Sequence, residues 1–315
     1  MRLGVLDVGS NTVHLLIVDA HPGSHPDPVR THKSELRLAE LIGPDGALGD
    51  QGRDLLIAAV RDAAKAAREE QVDDLVAFAT SAVRDATDGP AVLAAVQAKT
   101  GVDLVALSGE DEAQLTFLAV RRWFGWSSGR LLCVDIGGGS LEIASGRDEL
   151  PDLALSVPLG AGRLTRDWLT GDPPSRAELN ALQEHVWQQL APVAKQVSEQ
   201  GPADRVVATS KTFRSLARLD GAAPYALGPR VARKLTRSGL EVIVERLSGM
   251  SSAERSGLPG VSQSRAPQLL AGGIVALETM SALGIERADI CPWAMREGVV
   301  LRRLDWLQEE ERLRG

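Results

Sequence analysis

The sequence predicts an α/β protein of two domains, and three observations carry that prediction. The segments Val5-Leu6-Asp7-Val8-Gly9 and Cys133-Val134-Asp135-Ile136-Gly137 share one pattern, apolar-apolar-Asp-apolar-Gly, 128 residues apart. Each opens a polar or glycine-rich turn, DVGSNT from Asp7 and DIGGGS from Asp135, set between short runs of apolar residues that read as an outgoing and a returning strand. The rest of the chain alternates helical periodicity with short apolar strands, which builds α/β layers. A repeat this long is no solenoid unit and fits a duplicated domain. A length of 315 residues also exceeds what one hydrophobic core ordinarily fills.

Arg2 to Asp7 and Val13 to Asp19 read as two strands around a Gly-Ser-Asn turn that tolerates positive φ. His21, His25 and His32 then fall in a Pro-rich, exposed connection. Leu55, Leu56, Ala59, Val60, Ala63 and Ala67 recur at helical spacing within Gln51 to Glu70, and Leu75 to Ala79 reads as a buried strand. Ser108, followed three residues later by Asp111, is a capping box that opens a helix to about Trp123. Glu110, Asp111 and Glu112 fill its first turn, where negative charge complements the helix dipole.

Beyond the Gly125 to Gly129 loop, strands Arg130 to Asp135, Leu141 to Ala144 and Ala154 to Val157 form a second meander. Helices Arg176 to Gln200, Arg230 to Ser248 and Ala266 to Leu283 alternate with strands Val206 to Ala208 and Ala288 to Cys291. A last helix of about 294–308 carries Val300, Leu301, Leu304 and Leu307 on one face. The first domain is expected to span 1–118 and the second 119–315, with the last helix packing back toward the first.

A chain with 44% hydrophobic and 24% charged residues is globular rather than disordered or membrane-embedded. No apolar run approaches the roughly 20 residues that cross a bilayer, and Asp7, Asn11 and His14 interrupt any leader-like stretch. A net charge of −7 excludes a whole-protein basic field for nucleic acid, so an anionic ligand must be held by local groups. Cys133 and Cys291 sit in apolar contexts and read as buried thiols of a reducing, cytoplasmic compartment. The histidines offer no i, i+4 pair suited to zinc, since His21 and His25 lie in the Pro-rich connection and not on a helix, and there is no P-loop, GxGxxG, Ser-His-Asp or Cys-His arrangement.

The paired turns suit a phosphate ligand. Glycines admit close approach of backbone N–H groups to phosphate oxygens, and consecutive turn amides form an anion-binding nest. An Asp at each strand end can hold a metal or a water. A single copy would be read as an ordinary hairpin; duplication favours two loops gripping a phosphate chain across a cleft, with Mg²⁺ offsetting its charge.

At this point the chain resembles the exopolyphosphatase and guanosine pentaphosphate phosphohydrolase family of the actin-like superfamily. The elements that carry the resemblance are DVGSNTVHLLIVD (from Asp7), ATSAVRDA (Ala79), SGEDEA (Ser108), DIGGGSLEI (Asp135), LGAGRLT (Leu159), ATSKTFRSLARL (Ala208) and AMREGVVL (Ala294), in family order along the whole chain. The resemblance implies two actin-like (ribonuclease H-like) domains, each a mixed five-stranded sheet flanked by helices, with the active site in the cleft between them. It implies Mg²⁺- or Mn²⁺-dependent release of orthophosphate from inorganic polyphosphate, the favoured reading, or removal of the 5′ γ-phosphate of guanosine pentaphosphate in the stringent response, and a homodimer. A kinase of the same superfamily and a non-catalytic polyphosphate or alarmone sensor remain as alternatives.

Carried over residue by residue, the family's catalytic glutamate falls on Glu112, its arginine after Ala-Thr-Ser on Arg84, and its phosphate-loop aspartate on Asp135. Asp135, Glu142 and Asp7 are the expected metal ligands. Gly9, Ser10, Asn11, Thr12 and Gly137, Gly138, Gly139, Ser140 are the expected phosphate loops, with Lys211, Arg163, Arg265 and Arg214 as cationic contacts. Lys211 stands where the family often has glycine. The sequence ends without the additional helical domain of longer members, which puts processive action on long polymers in doubt.

Overall fold

A computed structural model describes residues 1–21 and 23–314, the side chains of 311, 313 and 314 apart. The chain divides into two compact units, the first comprising Met1–Ala119 with the last helix, the second Val120–Ala294. Each is described by itself.

The first unit begins with β1 (Arg2–Val8), β2 (Thr12–Asp19) and β3 (Arg30–Glu35), followed by α1 (Leu38–Leu41), α2 (Gly49–Glu69), β4 (Asp74–Ala79), α3 (Ser81–Arg84), α4 (Gly89–Thr100), β5 (Val105–Ala106) and α5 (Gly109–Phe124), in which the chain leaves the unit. Among the described residues its sheet has five strands in the order β3-β2-β1-β4-β5. The hairpin β1/β2 is antiparallel, with Asp7 opposite His14, and β4 runs parallel to β1. That mixture places the open end of the hairpin turn beside the start of the crossover helix after β4. His32 belongs to β3, an exposed edge strand, and not to an irregular connection. Six polar or charged residues in RTHKSE leave no alternation to read, and pairing with β2 alone makes it a strand.

Helix α2 buries Leu56, Val60, Ala63 and Ala67 at i, i+4, i+7 and i+11 spacing, against β2 and α4. Removing Leu56 and Val60 fully from water contributes about 1.5–3 kcal/mol each. The other face of the sheet, through Leu3, Val5 and Leu16, packs on Leu115 of α5 and on Val299, Val300 and Leu304 of the last helix. Gly298 allows that approach, since a Cβ there would overlap the Leu115 carbonyl.

The second unit holds β6 (Leu131–Ile136), β7 (Leu141–Gly146), β8 (Leu153–Val157), α6 (Ala161–Trp168), α7 (Arg176–Glu199), β9 (Arg205–Thr209), α8 (Ser210–Leu219), β10 (Lys234–Thr236), α9 (Arg237–Ser248), α10 (Ser252–Ser256), α11 (Leu269–Ala282) and β11 (Arg287–Ile290). The chain then returns to the first unit as α12 (Met295–Arg314). Among the described residues this sheet has six strands, β10-β11-β9-β6-β7-β8, rather than five. The sixth, β10, was hidden inside an expected helix over 230–248. Thr236 ends the strand and caps the helix in one step, its hydroxyl accepting from Gly239 N, so α9 begins only at Arg237. At the heart of both sheets a hairpin lies beside a parallel strand that feeds a helix, β1/β2 with β4 and β6/β7 with β9. This bears out the expected duplicated actin-like halves.

Candidate active site

The two turns close identically. Gly9 N donates to Thr12 O and Gly137 N to Ser140 O, each at 2.9 Å, so each Asp stands two residues before the closing bond at the end of a buried strand. Neither turn uses positive φ. A Cβ would fit at either glycine in ordinary contact, 3.5 Å from Thr12 O at Gly9 and 3.4 Å from Ser140 O at Gly137. The duplication extends to a feature the sequence reading missed. Ala79-Thr80-Ser81 and Ala208-Thr209-Ser210, 129 residues apart, both end the parallel strand and start its helix. The copies then differ: Thr80 N and Oγ1 donate to Val8 O, whereas Thr209 Oγ1 donates to Cys291 O and Trp293 O, and Ile136 O accepts from Thr212 Oγ1 instead.

In the first unit, buried Ser10 and Asn11 are fixed from behind. Ala39 N donates to Ser10 O, Leu36 N and Arg37 N donate to Asn11 O, and the Ser10 and Ser81 hydroxyls meet at 3.1 Å. Ser81 begins α3 and Arg84 ends it; Arg84 Nη1 donates to Glu112 Oε1 and to Leu107 O, while Nε donates to Asp85. Glu112 is 7% exposed in the first turn of α5, capped by Ser108 as expected: Asp111 N donates to the Ser108 hydroxyl. Burial opposes the Arg84 charge, but Glu112 and Asp85 outweigh it and raise its pKa. Arg84 therefore serves Glu112 directly, fixing its carboxylate through an ion pair.

Asp7 carries two consequences of burial. Its pKa is pushed up to about 6 by desolvation, against the pull of Arg296, whose Nε lies 3.9 Å from Oδ2. Its Oδ1 is buried and accepts no hydrogen bond among the described residues. Arg296 was not singled out, although it lies inside a quoted block; only its approach to Asp7 shows its part.

In the second unit, Asp135 lies directly opposite Glu142 across the hairpin and beside Thr209 on β9. Directly opposed residues project to one face, so the two carboxylates share a face. Glu142 is 6% exposed and accepts from the Ser156 hydroxyl at 2.9 Å. Desolvation raises the Asp135 pKa to about 6, with Arg214 and Arg265 acting against it.

The glycine loop between the carboxylates is tied down by its carbonyls: Gly137 O accepts from Ala161 N, Gly138 O from Gly162 N and Arg163 N, and Gly139 O from Arg163 Nε. In planar trans peptides, carbonyls turned to α6 turn the following amides the other way, the arrangement of an anion nest. Arg163 is thus built into the scaffold of the loop rather than standing before it. Gly160, at the N-cap of α6, makes the contact possible, because a Cβ there would overlap the backbone of Gly139 and Ser140. Gly160→Ala is expected to cost about 1–3 kcal/mol through this overpacking and to lower Tm by several degrees; thermal unfolding checks it.

Lys211 and Arg265 meet beside the N-terminus of α6, lining a small cleft with Ala161, Thr212 and Gln268, and Lys211 Nζ donates to the Ser262 hydroxyl. Ser210 adopts φ 87°, a left-handed conformation that a non-glycine residue holds at a cost of about 1–3 kcal/mol.

The carboxylates fit Mg²⁺ in kind and number. Among the described residues no cluster of three or more His, Cys, Asp or Glu could cage a metal. Mg²⁺ ordinarily takes one or two carboxylates and completes its shell with water and phosphate oxygens. Asp135 with Glu142 supplies hard oxygen donors of that sort in the second unit, and in the first unit Asp7 Oδ1 is a hard oxygen without a hydrogen bond among the described residues.

Similarity to known proteins runs along nearly the whole chain. The family model for the Ppx/GppA phosphatase family matches residues 16–307. Exopolyphosphatase 1 of Mycobacterium tuberculosis is 57% identical over 305 residues, covering 97% of this chain and 89% of that protein; its Mycobacterium leprae counterpart is 53% identical, over 97% and 90%. Among solved structures, the Aquifex aeolicus Ppx/GppA family member superposes with a TM-score of 0.79 at 25% identity over 98% of both chains. An exopolyphosphatase from Cytophaga hutchinsonii reaches a TM-score of 0.85 at 22% identity over 97% of this chain and 98% of that one, a likeness of fold. The repeated loops, their shared closing bonds and these matches lead to one statement: the chain belongs to the Ppx/GppA phosphatase family.

Proposed function

We propose that the protein is an exopolyphosphatase that releases terminal orthophosphate from inorganic polyphosphate. The observation that carries this reading is the glycine loop Gly137–Ser140, its carbonyls bound to α6 and its two flanking carboxylates sharing one face. That arrangement suits a phosphate with a divalent cation, and the similarity to proteins named exopolyphosphatase selects polyphosphate among phosphate substrates. Cys133 and Cys291, both buried and neither in a disulfide, support a reducing cytoplasmic setting.

In this mechanism the loop amides of 138–140, Lys211 and Arg265 hold the terminal phosphoryl group. Asp135 and Glu142 would hold Mg²⁺, which when bound would supply positive charge to the phosphate oxygens. Glu112, fixed by Arg84, orients the attacking water. The water oxygen bonds to the terminal phosphorus, the bond to the bridging oxygen breaks, that oxygen leaves with the shortened chain, and the water protons pass to solvent and phosphate.

The test is orthophosphate release from polyphosphate, guanosine pentaphosphate and ATP, with no acceptor added, with Mg²⁺ and with chelator. Release from polyphosphate that chelator abolishes is expected. Release from guanosine pentaphosphate alone would replace the substrate, and no release from any would refute hydrolysis.

A further inference from the structure

A cavity of about 370 Å³ lies beside α8, wholly within the second unit, lined by Lys211, Arg214, Ser215, Arg218, Tyr225 and Arg233 among others. Four of those lining residues are cations, and none is a carboxylate. In a protein of net charge −7 this is a concentrated exception. Like charges held in one concavity repel, and an anion that enters relieves the repulsion.

The order of these cations matters. Residues 211, 214 and 218 are spaced by three and four on α8, so they share one helix face and extend over about 10 Å at 1.5 Å per residue. The inner end of the row adjoins the candidate site. Arg214, with Arg265, is close enough to Asp135 to oppose the effect of its burial, and Lys211 and Ser215 also line the small cleft that Arg265 and Gln268 share. Beside the row stands Tyr225, 52% exposed, with the Arg214 and Arg233 guanidiniums 5.4 and 5.5 Å from its ring.

The walls are held by the cavity's own residues. Arg233, 8% exposed, donates to the carbonyls of Ala223, Pro224, Gly228 and Val231, which fixes the segment carrying Tyr225. Arg218 Nη1 donates to Ala222 O, and Ser215 Oγ to Gly260 O. A cationic concavity with fixed walls is pre-organised for a polyanion, which then loses little to ordering on binding.

We infer that this cavity binds the phosphates that follow the one being released, so that the α8 cation row sets the chain length at which substrate affinity levels off. The inference rests on the polyphosphatase reading and goes beyond it, because the terminal phosphate alone requires none of Arg218, Tyr225 or Arg233.

The test is calorimetric titration of the full-length Glu112→Gln protein, at fixed free Mg²⁺, with pyrophosphate, tripolyphosphate and longer chains. Affinity is expected to rise with length and then level. Arg218→Gln in that background should lower affinity for long chains by about tenfold, the loss of one charge-assisted contact, and leave pyrophosphate binding little changed. Since Arg218 also supports Ala222, Tyr225→Glu is the second variant: it breaks no backbone tie, sets a negative charge in the cavity beside Arg214 and Arg233, and should give a similar length-dependent loss, whereas Tyr225→Phe should not. Equal losses at every length, or none with Tyr225→Glu, would overturn the inference. Turnover by the wild-type protein is measured separately, so failure of hydrolysis and failure of the distal site give different results.

Discussion

Glu112→Gln is expected to lower kcat on polyphosphate by about 10²–10⁴-fold, the usual range for a lost acid–base or water-positioning group, with KM and Tm little changed. The structure separates this effect from a folding defect. Glutamine keeps an oxygen that can accept from Arg84 Nη1, and Arg84, with a side chain 21% exposed, still donates to Leu107 O and Asp85. Arg84→Ala is the contrasting variant. It leaves the Glu112 carboxylate, 7% exposed, without its guanidinium, and truncating one partner of a buried pair costs about 3–5 kcal/mol. Because Arg84 is partly solvated, about 2–3 kcal/mol is the expectation here. Arg84→Ala should therefore lose activity and several degrees of Tm together, while Glu112→Gln loses activity alone. Near-normal kcat in Glu112→Gln would remove the carboxylate from the mechanism; a Tm drop equal to that of Arg84→Ala would make the pair structural.

The contrast shows which parts of the site were legible in the sequence. Glu112 was found by its place after Ser108 in a family block, and the cap that fixes it, Ser108 to Asp111 N, is local chemistry that four residues encode. Asp7 and Asp135 were found because a repeated pattern preserves what a single hairpin would not. What Arg84 and Arg163 do was not legible, because an arginine's role depends on what its long side chain reaches. Arg84 reaches a residue 28 positions away and Arg163 a carbonyl 24 positions back. Arg121 makes the same point in the fold: in a helix it reads as a solvated charge, yet it is fully buried and donates to the carbonyls of Gly125, Gly129, Gly146 and Asp148. Gly160 and Gly298 stand in quoted blocks, but only three-dimensional packing shows that each clears a neighbouring backbone. Strands β3 and β10 escaped for the same reason, since sheet edges are specified by their partners more than by their own periodicity.

Asp135→Asn should make the metal-free protein more stable at pH 8 while reducing phosphate release by at least about 10²-fold, the scale of a lost electrostatic group. The sign follows from burial. A carboxyl raised to about 6 in the folded state, against about 3.9 unfolded, binds more protons folded than unfolded between those values. Stability therefore falls as pH rises from about 4 to 6 and stays reduced above. Two pK units correspond to at most about 3 kcal/mol, and less where solvent reaches the side chain. Asparagine removes the charge with little change of volume, and Arg214 and Arg265 lose a partner without becoming buried charges, since both line open clefts. The gain in Tm should accordingly be several degrees at pH 8 in chelator and vanish near pH 4, where the wild-type carboxyl is protonated. Mg²⁺ should raise the wild-type Tm by occupying the Asp135 and Glu142 oxygens, and raise that of Asp135→Asn much less. A variant less stable than wild type at pH 8 would mean that Arg214 and Arg265 more than offset the desolvation of Asp135, and full activity would take this carboxylate out of the site.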